Sequence, residues 1–348
     1  MATHNDARGA FQSHAAYLNA FQRIVASTYG PSKSFLRRHG DVLNGLASAV
    51  RAKPTFQKMQ VDASIDTESI RRILGNAWAT EMMLSLASNF DQDEVVGVAN
   101  NWAAVQGYYA LYHAVQALAV CKGQPRPQSH PATQRIFVDQ WVTRNADLPP
   151  WSLGASDVSC LNLPGGQTIQ SIHQWSACDD DTCWSIAYQA MRGTRQDQVS
   201  ERFREERAKK QSANRKAFAA KQAERLAEGR KALPKRDFAL PLLTSQEKFS
   251  VRRGLRPITL MDYLYRLRIR SNYEDAQMFI EGPEDISESR AVHRNMRLLL
   301  SSTMLVYELY VGQLIGRRAL RGMVDSWLAS APLDTKTGLD ARHAILFP

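Results

Sequence analysis

The chain has 348 residues, 44% of them hydrophobic, enough for a sizeable core in two modest domains or in one domain with a large insertion. Its formal net charge of +10 favours acidic partners, nucleic acid ahead of an anionic membrane surface. Four cysteines (Cys121, Cys160, Cys178 and Cys183) are too few and too scattered for a disulfide framework, and no basic stretch followed by an apolar leader opens the chain, so a reducing cytoplasm is expected.

The first elements read as helices. FQSHAAYLNAFQRIVASTYG stops at Gly30-Pro31, and a second helix over residues 34–52 ends before Pro54. From Thr67 the residues Ile70, Ile73, Leu74, Trp78 and Met82 form an apolar stripe at helical spacing. A long helix follows over Asp93 to Cys121, capped by Asp91 or Asp93, with acids in its first turn and Gly123 and Pro125 beyond its end. It is apolar nearly all round in its second half and should be central. Tyr108, Tyr109, Tyr112 and His113 sit there among Ala103, Ala104, Gly107, Ala110, Ala114 and Ala117, small residues that let helices approach closely. A single histidine in such a helix is ordinarily a hydrogen-bonded core residue.

After Pro127 a short helix is expected in SHPATQRIFVDQWVTR, and then Pro and Gly collect in an irregular loop over residues 145–166 with at most brief strands. Ser171 to Cys178 and Trp184 to Arg192 are short apolar pieces, the second helical. Cys160, His173, Cys178 and Cys183 lack the short pairing of a structural zinc site, so free thiols are the simpler reading. Asp179, Asp180 and Asp181 read more simply as an acidic turn capping the next helix than as a cation site. No phosphate-loop, dinucleotide or nucleophile-elbow pattern occurs, and neither a cofactor nor a resident metal is expected.

Arg192 to Arg236 holds fifteen Lys and Arg against six acids and few large apolar residues. Helix propensity is high there, but a helix polar on all faces is not held by packing. It is either a solvated helix or linker, or an arm that tracks nucleic acid, with Arg204, Arg207, Lys209, Lys210, Arg215 and Lys216 as its contacts.

Thr259 to Gly282 is the most informative stretch. Leu260, Tyr263, Leu264, Leu267, Met278 and Phe279 step by three and four and should face a core. Arg266 and Arg270 share a face, while Arg268 lies four residues before Asn272. Ion pairs with Asp262, Glu274 and Asp275 would account for these cations, as would a ligand. The last helices run from Ser287 to Ser330. Within them Leu298 to Gly316 approaches membrane-spanning length, but Glu308 and flanking arginines favour a buried helix. The fold class expected is all-α.

The helix ending YYALYHAVQAL resembles the second helix of the HEPN-like superfamily, and LYRLRIRSNYEDAQMF resembles the third-helix pattern of members lacking the full nuclease motif, with Arg268, Asn272, Tyr273 and Asp275 at the matching positions. The resemblance covers about fifty residues closely. It implies a helical bundle assembled from residues 91–125 and 259–348. Residues 1–90 would then be an added N-terminal helical region, and 126–258 an insertion bearing the basic arm at 192–236. It also implies an RNA-acting protein of prokaryotic stress or defence, dimeric, with an antitoxin as a possible partner, RNA ahead of DNA, and no membrane. Nuclease members carry an Arg-x(4–6)-His motif for metal-independent cleavage, and here Tyr273 stands where His would. Tyrosine, with an ordinary pKa of about 10, is a poor base near neutrality. By the resemblance Arg268 would hold the scissile phosphate, Asn272 would orient the substrate, and Tyr273 and Asp275 would complete the catalytic set. The alternative is a binding module without catalysis, in which Arg268, Tyr273 and Asp275 organise the bundle or a dimer seam. Arg8 and His14 satisfy the motif spacing only by chance in a polar N-terminal segment.

Overall fold

The computed structural model describes residues 4–31, 38–86, 93–144, 147–156, 181–275, 277–331 and 338–348. The fold is all-α. Thirteen α-helices are described, and the β-structure among the described residues is one isolated antiparallel bridge between Ala155 and Ile258. Cys160, His173, Cys178, Asp179 and Asp180 lie outside the described residues.

The helix at the centre is α5 (Asp93–Cys121), against which α4 (Thr67–Leu86) and α11 (Ile286–Ile315) make the most extensive packing. Its small residues allow this. At Gly107 an added Cβ would lie 2.8 Å from Met296 Sδ of α11, so the two helices cross too closely for a side chain there. The C-terminus is closed by Gly123 at φ +70°, with Gln124 N donating to Ala119 O at 3.0 Å and Gly123 N to Val120 O at 2.9 Å. The stripe on α4 is buried as its spacing predicts: Ile70, Ile73, Leu74, Trp78 and Met82 all face inward.

Asp285 caps α11 by accepting from Glu288 N at 3.0 Å. Among the described residues α11 alone is long and apolar enough to cross a membrane, and 83% of its apolar window is buried inside the protein. The polar residue within that window is the reason it suits this interior. Glu308, fully buried, accepts from Arg342 Nε at 2.8 Å and from Trp78 Nε1 at 2.9 Å. Arg342 on α13 (Gly338–Leu346) also donates to Glu81 Oε2 at 2.7 Å and to Ser301 Oγ at 3.1 Å. The two carboxylates hold its guanidinium well above its ordinary pKa despite burial. One cation thus ties α4, α11 and α13 together. With α12 (Arg317–Ser330) they complete one end of the bundle.

Helix α1 (His4–Tyr29) packs on α11 and on α2 (His39–Arg51), which leads into the short α3 (Pro54–Gln57). A single contiguous hydrophobic cluster runs from Phe11 on α1 through α5 and α11 to Phe347. After α5 the chain forms α6 (His130–Phe137), which continues as a π-helical stretch, Val138–Thr143, and buries Trp141.

The apolar piece at Trp184 and the basic arm are one helix, α7 (Asp181–Ala227), rather than two segments. Its first turns bury Cys183, Trp184, Ala187, Ala190, Met191 and Val199, packing on α1 and α9. Those contacts supply the nucleus from which the high helix propensity of the arm propagates. The helix stops at Ala227, short of Arg236, because Gly229 takes φ +69° and Arg230 N bonds back to Arg225 O at 2.8 Å. The chain then returns along the arm in extended form. Arg207 donates to Pro241 O at 2.9 Å and to Leu240 O at 3.2 Å, and Phe218 and Phe238 meet edge to face. Helix α8 (Ser245–Gly254), with a capping box formed by Thr244 and Glu247, closes the excursion.

Candidate functional site

The stretch singled out by its arginines begins as α9 (Leu260–Ile269). All six residues of its predicted apolar set are buried, and Arg256 pairs with the buried Asp262 that caps the helix start. The helix does not run straight to Gly282. After Ile269 it becomes a π-helical turn, Arg270–Glu274, in which Asp275 N reaches back five residues to Arg270 O at 2.7 Å; the short α10 (Met278–Glu281) follows. The change of hydrogen-bond period moves the residues after Arg270 out of the register of those before it. Arg268 and Tyr273 have different settings: Arg268 is 9% exposed and faces α5, whereas Tyr273 is 74% exposed. Asn272 and Asp275 are half-buried, and no hydrogen bond or ring contact joins any of these three to Arg268.

The other two arginines are neutralised. Arg266 pairs with Glu274 at 2.8 Å and with Asp197 of α7 at 3.0 Å, and Arg270 lies 3.9 Å from the same Asp197. Their shared face is thus an ion-pair seam between α9 and the root of the arm.

Arg268 has a different setting. Its guanidinium carbon lies 5.0 Å from the Tyr265 ring centroid and 5.4 Å from those of Tyr108 and Tyr109. Nη1 donates to the Tyr109 hydroxyl at 3.0 Å, and Nε is buried with no partner. Among the described residues no carboxylate pairs with it. Cation–π contacts are worth about 0.5–2 kcal/mol each, whereas taking a charge out of water costs several kcal/mol, so three rings only partly offset the burial.

His130 completes the ring. It opens α6, where Ser129 caps the helix by accepting from Ala132 N at 3.3 Å and Pro131 favours a helix start. Its Nδ1 lies 2.8 Å from the Tyr108 hydroxyl, and its ring centroid is 5.2 Å from Tyr112 and 5.3 Å from Tyr265. Burial, and then the charge of Arg268, push its pKa below the ordinary histidine value. Tyr108 is fully buried and its hydroxyl is held protonated by that burial. Tyr109, Tyr112, Tyr265 and His130 are each half-buried, forming a rim around the deeper guanidinium. His113 lies beside the rim, with its ring centroid 5.6 Å from Tyr112 and 6.4 Å from Tyr109.

The family resemblance pointed to Arg268 and to the stretch holding Tyr108, Tyr109 and Tyr112, but not to Tyr265 or His130. Tyr265 reads as one more aromatic on an amphipathic helix, and His130 begins a separate short helix with nothing nearby in sequence to mark it. Arg8 and His14 lie on α1, which is a core helix rather than the polar segment its sequence suggested. Arg8 binds Glu288, and His14 is buried beside Tyr263 with its pKa lowered to about 3 by burial and by Arg270.

Of the six arm residues expected to meet nucleic acid, Arg204, Lys209, Arg215 and Lys216 are exposed. Arg207 is spent on the returning backbone, and Lys210 pairs with Glu247 at 2.6 Å. Arg204, Arg215 and Lys216 make no ion pair among the described residues, while Lys209 bonds Glu206 at 2.9 Å. No family model, curated protein or solved structure matches the chain.

Proposed function

We propose that the protein is a HEPN-like RNA-acting protein that takes a backbone phosphate at Arg268 and cleaves RNA without a metal ion. The observation that carries this is the buried Arg268 guanidinium, ringed by tyrosines and His130 and lacking a carboxylate. A phosphate oxygen on the guanidinium would supply the missing anion, with arginine's forked donors suited to it. The half-buried aromatic rim suits an unpaired strand, whose bases can stack while the phosphate enters. The arm that begins beside Asp197 adds exposed cations for the flanking backbone.

The test is cleavage and filter retention of a panel of RNAs in EDTA by the intact protein and by Arg268→Ala. Loss of both in the variant, with the helical circular dichroism unchanged, is the expected result; cleavage equal to wild type would sink the reading. A second reading, a binding module without catalysis, is favoured by the exposure of Tyr273 away from Arg268. It predicts salt-sensitive retention with no cleavage by the wild-type protein.

A further inference from the structure

Cleavage of RNA through its own ribose needs a group that accepts the 2′-hydroxyl proton, and a cation alone does not provide one. Tyr273 stands exposed, apart from Arg268, and the tyrosines of the rim are weak bases near neutrality. We propose that His130 is the general base of the Arg268 site, oriented by the buried hydroxyl of Tyr108. This inference rests on the RNA-cleaving reading above and names the proton acceptor within it.

Three observations support it. His130 and Arg268 lie against the same three rings, Tyr108, Tyr109 and Tyr265, which gathers the imidazole and the guanidinium on one aromatic cluster. His130 Nδ1 is engaged by Tyr108 at 2.8 Å, while Nε2 makes no hydrogen bond among the described residues. With the proton on Nδ1 and donated to the Tyr108 hydroxyl oxygen, Nε2 presents a lone pair. The lowered pKa keeps the ring unprotonated at neutral pH, so Nε2 is free to accept a proton. His113 is the competing imidazole. Its ring meets Tyr109 and Tyr112 but neither Tyr108 nor Tyr265, both of which His130 and Arg268 contact.

The step is a transesterification that balances within the RNA. His130 Nε2 takes the 2′-hydroxyl proton, the 2′-oxygen forms a bond to phosphorus, and the bond from phosphorus to the 5′-oxygen breaks. Water protonates the departing 5′-oxygen, and His130 later returns its proton to solvent. The products are a 2′,3′-cyclic phosphate and a 5′-hydroxyl end. Arg268 meets the charge that builds on the phosphorane. Tyr108 touches no reacting atom and is a positioning residue.

The experiment compares wild type, His130→Gln, His130→Ala, Tyr108→Phe and His113→Ala on one RNA substrate in EDTA, measuring kcat, KM, pH profile and retention. His130→Gln and His130→Ala are expected to lose about 100-fold or more in kcat with retention kept. The wild-type acidic limb, with its midpoint below 6.5, should vanish in both. Added imidazole should restore part of the activity of His130→Ala. Tyr108→Phe should shift that limb rather than abolish it, and His113→Ala should behave as wild type. Substrate with a 2′-deoxy sugar at the cleaved position should resist every form. Cleavage by His130→Gln at the wild-type rate would overturn the assignment while leaving the RNA-cleaving reading intact. Absence of cleavage by wild type, with retention, would overturn both and leave the binding module.

Discussion

Two arginines buried in this protein are treated in opposite ways. Arg342, fully buried, is met by the carboxylates of Glu81 and Glu308 and by the hydroxyl of Ser301. Arg268, 9% exposed, is met by three aromatic rings and one tyrosine hydroxyl. A third, Arg195, donates to the backbone carbonyls of Arg252 and Arg256 at 2.9 and 2.8 Å. The first and third are finished within the chain and hold helices together. Arg268 is left with donors to spare, its Nε buried without a partner beneath a half-buried aromatic rim. On the proposed reading, the cations completed from inside serve structure and the one completed only in part awaits a ligand.

The largest effect should come from breaking the finished end. Arg342→Met leaves two buried carboxylates without their cation and is expected to cost about 3–5 kcal/mol in urea unfolding. Arg268→Met strands no carboxylate and should change stability by less than about 1 kcal/mol while removing RNA retention. Equal destabilisation by the two would mean that Arg268 is as structural as Arg342, and the contrast would collapse.

Acid should act next, through histidines that are buried neutral. Burial first, then nearby arginines, lower His14 to about 3 and His39 and His293 to about 4. Their folded pKa values lie below the unfolded value of 6.5, so the unfolded chain binds more protons between the two. Stability from these groups is complete above 6.5 and is lost as pH falls toward 4 and then 3, by up to about 1.4 kcal/mol per unit for each. Urea midpoints taken between pH 7 and 4 would check it. Midpoints that stay flat over that range would contradict the burial of these rings as neutral groups.

A smaller effect is expected from the arm. Replacing Arg204, Arg215 and Lys216 together by Ala should weaken retention and reduce the slope of log affinity against log salt by about 2, at about 0.7 per phosphate contact on a single strand. An unchanged slope would remove the arm from the interface. The smallest effect belongs to Tyr273→Phe. With its ring 74% exposed, loss of the hydroxyl should alter stability by less than about 0.5 kcal/mol and leave cleavage unaltered. A large loss of cleavage would return Tyr273 to the site.

Helices, and the faces they bury, were legible in the sequence because both depend on local spacing. The apolar set from Leu260 to Phe279, the stripe on α4, the small residues of α5 and the stop at Gly123 each report a period or a backbone preference carried by neighbouring residues. The composition of the arm likewise foretold a charged helix. The continuity of α7 was not legible, since it depends on Trp184 and Met191 finding a core against which to nucleate. Nor was the π-helical turn after Ile269, or the exposure of Tyr273 away from Arg268, two residues to which the family resemblance alone gave a shared role. Only tertiary structure joined Glu81, Glu308 and Arg342, or brought His130 to Tyr108 and Arg268. A charge is satisfied by whatever lies beside it in space, and that neighbour can stand more than two hundred residues away in the chain.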